Sequence, residues 1–206
     1  MGLKILPFRQ YDDHDVVNLY RVADGMVLDN TTDAGSGDAG TFVKVSAGDF
    51  SLDPVAYETD SYLGKTDYPF VGRNQYPKVS LQVEPAVAGD VPLGITLLQT
   101  AKADENGEKL LYNPQKAAEL QAALPGEAVP IATKGIFTIA TSAFQGALGG
   151  DLAIGSGLAA SAGGTVTGCN PTDSNCFGTI LGTGSRTSQN GVTDQFAGEY
   201  LVFKFN

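Results

Sequence analysis

VPIATKGIFTI (129–139), GALGGDLAIG (146–155), GTVTG (164–168), CFGTILGTG (176–184) and EYLVFKF (199–205) follow one another along the last third of the chain, with glycine-rich joints between them. Each is a short run in which apolar and small polar residues alternate, and β-branched and aromatic residues supply most of the apolar positions. That is the pattern of strands in a small closed barrel or a sandwich. Gly150-Asp151 reads as a turn ahead of one strand, and the Gly-x-Gly of Gly182 and Gly184 reads as another, because glycine in such a setting most often marks a turn. None of these runs contains a nucleophile–base set or a metal-binding cluster.

Upstream, DENGEKLLYNP (104–114) has Asn106-Gly107 between charged residues, the strongest hairpin signal in the chain. Pro114 then suits a first helical turn, and QKAAELQAAL predicts one short helix over 114–125, stopped by Pro125-Gly126. So short a helix needs packing of Ala117, Leu120 and Leu124 on a sheet. KVSLQVEPAVAGDVPLGITLLQTA (78–101) predicts two strands with turns at Glu84-Pro85 and Gly89-Asp90. VVNLYRV (16–22) and TFVKV (41–45) predict further strands on either side of DNTTDAGSGDAG (29–40). That loop is rich in aspartate, but the closing bidentate Glu of a calcium loop is missing.

Residues 1–15 predict an extended N-terminal arm. Leu3, Ile5, Leu6, Phe8 and Tyr11 are apolar, Pro7 interrupts any helix or central strand, and Asp12, Asp13 and Asp15 follow. Such a segment either tucks onto its own domain, as an ordinary edge strand would, or adds to a neighbour. With Pro7 in its middle it is not expected to form a core element, so removing residues 1–13 is expected to leave a folded body. Between 51 and 77, Tyr57, Tyr62, Tyr68 and Tyr76 recur among prolines and glycines, and their large amphipathic rings suit an interface or the cover of a sheet. The expected fold is therefore mainly β: one or two small β-barrel or sandwich units, one short helix and an extended arm. The expected segments are the arm (1–15), a β-rich domain with the Tyr-rich loop (16–113), the helix (114–125) and a small C-terminal barrel (126–206).

A length of 206 residues with 42% hydrophobic content is enough for a real core, while 26 glycines and 10 prolines favour turns over helices. The net charge of -10 argues against nucleic acid as a partner, since phosphate binding needs clustered Lys and Arg. No stretch is apolar for long enough to predict a membrane span, and the first residues lack the apolar segment of a secretory signal. Cys169 and Cys176 bracket a turn-rich loop; they either close a short disulfide or remain two free thiols. A metal would need two more ligands there, and His14 is the only histidine.

Catalytic patterns are missing as well. A Ser-His-Asp set must pass through His14, and Ser36 and Ser156 lie in GSGDAG and GSGLAA rather than in a nucleophile elbow. GTILGTGSRT lacks the Gly-Lys-Ser/Thr ending of a phosphate loop, and the two cysteines lack Cys-x-x-Cys spacing. The sequence predicts no catalytic residue, cofactor or metal, and no enzyme activity.

The C-terminal phrases, with GDLAIG followed by GTILGTG, resemble the β-barrel cassette of tailed-bacteriophage capsid decoration proteins. ENGEKLLYNPQKAAELQAALPGEAVPIATKGIFTI (105–139), FGTILGTGSRTSQNGVTDQFAGEYLVFKF (177–205) and LPFRQYDDHDVVNLY (6–20) resemble virion structural proteins of tailed phages that infect cyanobacteria. The resemblance implies a capsid cement protein made in the host cytoplasm and carried on the virion surface. Its implied partners are the major capsid protein and further copies of itself, with a trimer favoured. Leu3, Ile5, Leu6, Phe8 and Tyr11 of the arm and Tyr57, Tyr62, Tyr68 and Tyr76 are the candidate interface residues. The Cys169–Cys176 loop has no place in the family pattern. Two other classes stand beside this one: a low-copy receptor- or carbohydrate-binding spike or fibre component, and an enzyme with a dispersed site.

Overall fold

The computed structural model describes residues 4–28, 35–47, 79, 81–188 and 197–205. In chain order the strands are β1 (Ile5–Gln10), β2 (Val16–Val17), β3 (Arg21–Val22), β4 (Phe42–Ala47), β5 (Gln82–Pro85), β6 (Gly94–Thr96), β7 (Gln99–Thr100), β8 (Ala122–Ala123), β9 (Ile131–Ala132), β10 (Gly135–Ala140), β11 (Gly157–Ser161), β12 (Thr165–Cys169), β13 (Cys176–Arg186) and β14 (Gly198–Phe205). Helix α1 (Pro114–Glu119) lies between β7 and β8. The protein is mainly β, as its alternating runs predict.

Two six-stranded sheets form the body, one ordered β1-β10-β14-β13-β11-β12 and the other β2-β9-β6-β4-β5-β3. Neither closes into a barrel, and their packing is that of a sandwich. Phe137, Ile139, Leu158, Ile180, Leu201 and Phe203 point inward from the first sheet and share one core with Phe42, Ile95 and Ala132 of the second. Phe42 is central: its ring centroid lies 5.3 Å from Phe177, 5.6 Å from Phe203 and 6.5 Å from Phe205. Burying each such ring contributes about 1.5–3 kcal/mol. Ile5 belongs to the same core, so residues of segments 1–15, 16–113 and 126–206 pack as parts of the same two layers.

VPIATKGIFTI, which reads as one strand, serves both sheets. Ile131 and Ala132 pair with β2 and β6, and the chain then crosses to the first sheet at Gly135, whose φ of 134° is open to glycine. The run GDLAIG is not a strand. Instead GLAAS (157–161) forms β11, whose residues Gly157 to Ala160 are all buried; small residues covered on both faces give no alternation to read. Leu152, from the expected strand, is fully buried in the core as part of the loop beside β12.

The helix stops six residues before its expected end. Gln121 turns left-handed at φ 49°, and Ala122 and Ala123 are taken up in parallel pairing with Gln99 and Thr100. The Gln99 side-chain amide donates to the Leu120 carbonyl at 2.8 Å, filling an acceptor that a longer helix would use. Leu120 and Leu124 still pack with Ala117 against Leu28, Ala101 and Leu110. The Asn106-Gly107 turn forms as read: the buried Asp104 carboxylate accepts from the Asn106 and Glu108 amides at 2.9 and 2.8 Å, and Gly107 has φ 84°.

Candidate functional site

β14 alternates strictly, with Leu201, Phe203 and Phe205 buried in the core and Tyr200, Val202 and Lys204 on the opposite face. Across from Val202 stand Thr138 on β10 and Gly182 on β13, and across from Tyr200 stand Ala140 and Gly184. Gly182 and Gly184 therefore lie inside a strand, not at a turn. Their conformation is extended, and what glycine supplies is missing bulk: a Cβ on Gly184 would lie 2.7 Å from Cζ of the Tyr200 ring. Just before them Leu181 has no partner on β14, a bulge that leaves its side chain 45% exposed.

A groove of about 340 Å³ opens on this outer face, lined by Leu6, Phe8, Thr138, Ser185, Arg186, Tyr200 and Val202. Its far wall comes from β1. Ile5 pairs with Ile139 and Arg9 with Phe137, so four steps along β1 match only two along β10. The excess falls on Leu6, Pro7 and Phe8. Pro7, without an amide hydrogen to give to a ladder, is accommodated at this irregularity on the outermost strand. Leu6 is buried, whereas Phe8 is 60% exposed beside the groove.

The candidate interface residues thus separate by position. Leu6 and Phe8 line the groove, whereas Ile5 is buried in the core and Tyr11 stacks on Phe137 at 5.9 Å. The arm is extended and tucks onto its own chain. The expectation that its apolar residues form no core element is corrected here: Pro7 at a bulged edge leaves Ile5 and Leu6 free to be buried. Leu3, Tyr57, Tyr62, Tyr68 and Tyr76 lie outside the described residues. Sequence reading missed Thr138, Ser185, Arg186, Tyr200 and Val202, which meet Leu6 and Phe8 only through non-local strand pairing.

The polar residues of interest have structural partners. Asp38, at the end of the aspartate-rich loop, pairs with Lys4 at 3.2 Å, and Lys4 also donates to the Thr41 hydroxyl. His14 is exposed, and its backbone amide donates to Asp12 Oδ1 at 2.8 Å. Among the described residues no group of three or more His, Cys, Asp and Glu side chains is placed to hold a metal ion. None of the described helices is long and apolar enough to cross a membrane. Cys169 and Cys176 form a disulfide, with their Cα atoms 6.3 Å apart.

On the opposite sheet, Lys44 bridges Asp90 at 2.9 Å and Glu84 at 3.3 Å. The Val87 amide and then the Lys44 ammonium hold the Asp90 carboxyl below the usual aspartate range. Hydrogen bonds to Asp90 and Glu84 raise Lys44 in return.

No protein family, curated protein or solved structure matches this chain.

Proposed function

We propose that this protein is a structural virion component that binds and stabilises the outer surface of a phage capsid, using the outer face of its β1-β10-β14-β13 layer as the adhesive surface. The observation that carries this reading is the groove: a largely apolar hollow beside Tyr200 and Val202 of β14, lined by an exposed Phe8, on a sheet whose other face is locked into the core. A cement protein needs a rigid body and a modest contact repeated over a lattice, where multivalency multiplies weak binding. A hollow beside an exposed aromatic ring suits the centre of such a contact. The resemblance of the strand-and-turn phrases to capsid decoration proteins supports the same assignment, with the major capsid protein as partner and a homo-oligomer, trimer favoured, as the bound form.

Co-sedimentation with particles lacking the protein tests this. Wild-type protein pellets with the particles, and Phe8→Asp, which alters an exposed side chain, stays largely in solution. Equal pelleting of both contradicts the groove as the contact; failure of the wild type to pellet contradicts the capsid reading.

A further inference from the structure

β12 and β13 lie on opposite sides of β11 and both run antiparallel to it, so the chain passes from one flank of β11 to the other between Cys169 and Cys176. Connections between strands of the same direction ordinarily take a dozen or more residues. Residues 170–175 do it with their own hydrogen bonds. The Asp173 amide donates to the Asn170 carbonyl at 2.9 Å and the Cys176 amide to the Asp173 carbonyl at 3.2 Å, two turns in succession. Asn170 Oδ1 accepts from the amide and the hydroxyl of Thr172. Beneath the sulfurs lies Gly157, where a Cβ would come within 2.7 Å of Cys176 Sγ and 2.8 Å of Cys169 Sγ. Only glycine leaves room for both.

The loop therefore holds the two sulfurs together by bonds that do not depend on the covalent link. Both cysteines are partly exposed, within reach of a small reagent, and residues 170–174 around them are exposed. We infer that Cys169 and Cys176 are a reversible redox modification site, closed and opened by thiol–disulfide exchange in the folded protein, and that β12 is the element this clasp secures. On closing, one cysteine thiolate attacks a low-molecular-weight disulfide, forming a mixed disulfide and releasing one thiolate, which takes up a proton. The second cysteine thiolate then displaces the other half of the reagent. Two protein thiols are oxidised, the reagent is reduced to two thiols, and an excess of small thiol reverses both steps.

Opening is local because β13 remains paired with β14 from Gly178 to Arg186, while β12 is outermost in its sheet and pairs only with β11. Among the described residues, the backbone pairing of its other edge is at Val166, by a bridge from Phe144 and the Gln145 amide at 2.7 Å. Short outer strands open at lower free energy than the sheet centre.

The test reduces the whole protein with dithiothreitol under native conditions, removes the reductant and adds oxidised glutathione. The expected result is a monomer whose intact mass falls by two hydrogens, with an unchanged circular dichroism spectrum. Amides of 165–169 should exchange about tenfold faster in the reduced form while those of β14 are unchanged. Gly157→Ala should close the bond at least about tenfold more slowly. Should that variant fail to fold, Cys169→Ser carries the decision, because its β12 exchange should match the reduced wild type. Persistent mixed disulfides or cross-linked dimers in place of the intramolecular bond would overturn the site, as would a Gly157→Ala that folds and closes at the wild-type rate. Equal β12 exchange in the two redox forms would overturn the role of β12.

Discussion

The Tyr200 ring lies across Gly184 on the neighbouring strand, so close that any side chain at 184 must displace it. The ring is the flexible partner, so Gly184→Val should fold with Tyr200 swung into the groove. Stability should fall by about 1–2 kcal/mol, and capsid attachment should weaken with it. Denaturant unfolding and particle co-sedimentation check this together; unchanged attachment by the folded variant would separate the groove from binding.

Phe42 carries the contact between the two sheets. Phe42→Ala should cost about 3–5 kcal/mol, since three aromatic neighbours lose a partner in a core that closes only partly around the gap. Equilibrium denaturation measures it. A cost below about 1 kcal/mol would mean that the layers do not meet through this ring.

Truncation separates the first strand's two roles. Deleting residues 1–13 removes Ile5 and Leu6 from buried positions and leaves the β10 edge bare, so the shortened protein should be markedly less stable and prone to associate. Phe8→Ala, by contrast, should shift the thermal midpoint little because the side chain is 60% exposed. Differential scanning calorimetry of the two variants distinguishes them, and a truncated protein with wild-type stability would contradict the packing of β1.

The turn between β5 and β6 should be acid-sensitive. Asp90 titrates below the ordinary aspartate range because the Val87 amide and Lys44 bind its charged form. Its contribution is thus present above the unfolded-state value and lost as pH falls through the lower folded value. Lys44, raised by Asp90 and Glu84, loses its contribution only as pH rises through its elevated value. A carboxyl-carbon NMR titration should place the Asp90 midpoint below that of free aspartate, and Asp90→Asn should remove that local transition. A midpoint at or above the free value would show that neither contact favours the charged form.

The mainly β class was legible because strands with one face in a core leave period-two alternation, as in EYLVFKF. The turn at Asn106-Gly107 was legible because its chemistry is local. GLAAS escaped because a strand covered on both faces by small residues does not alternate, and GDLAIG misled because its Leu152 is buried from a loop. Gly182 and Gly184 misled for another reason: glycine inside a strand makes room for a neighbour as readily as it makes a turn. The groove depends on which strands lie beside β14. Leu6 and Phe8 stand out as apolar residues in an extended arm, but nothing near Thr138 or Tyr200 in sequence says that they share a surface with it.

Copy number in the virion bears most directly on the central claim. Quantitative mass spectrometry of purified particles should find this chain at hundreds of copies, comparable to the major capsid protein, as an adhesive surface repeated over a lattice requires. A dozen copies or fewer would place it at a vertex or tail and favour the receptor- or carbohydrate-binding alternative, and its absence from the particles would contradict the virion account altogether.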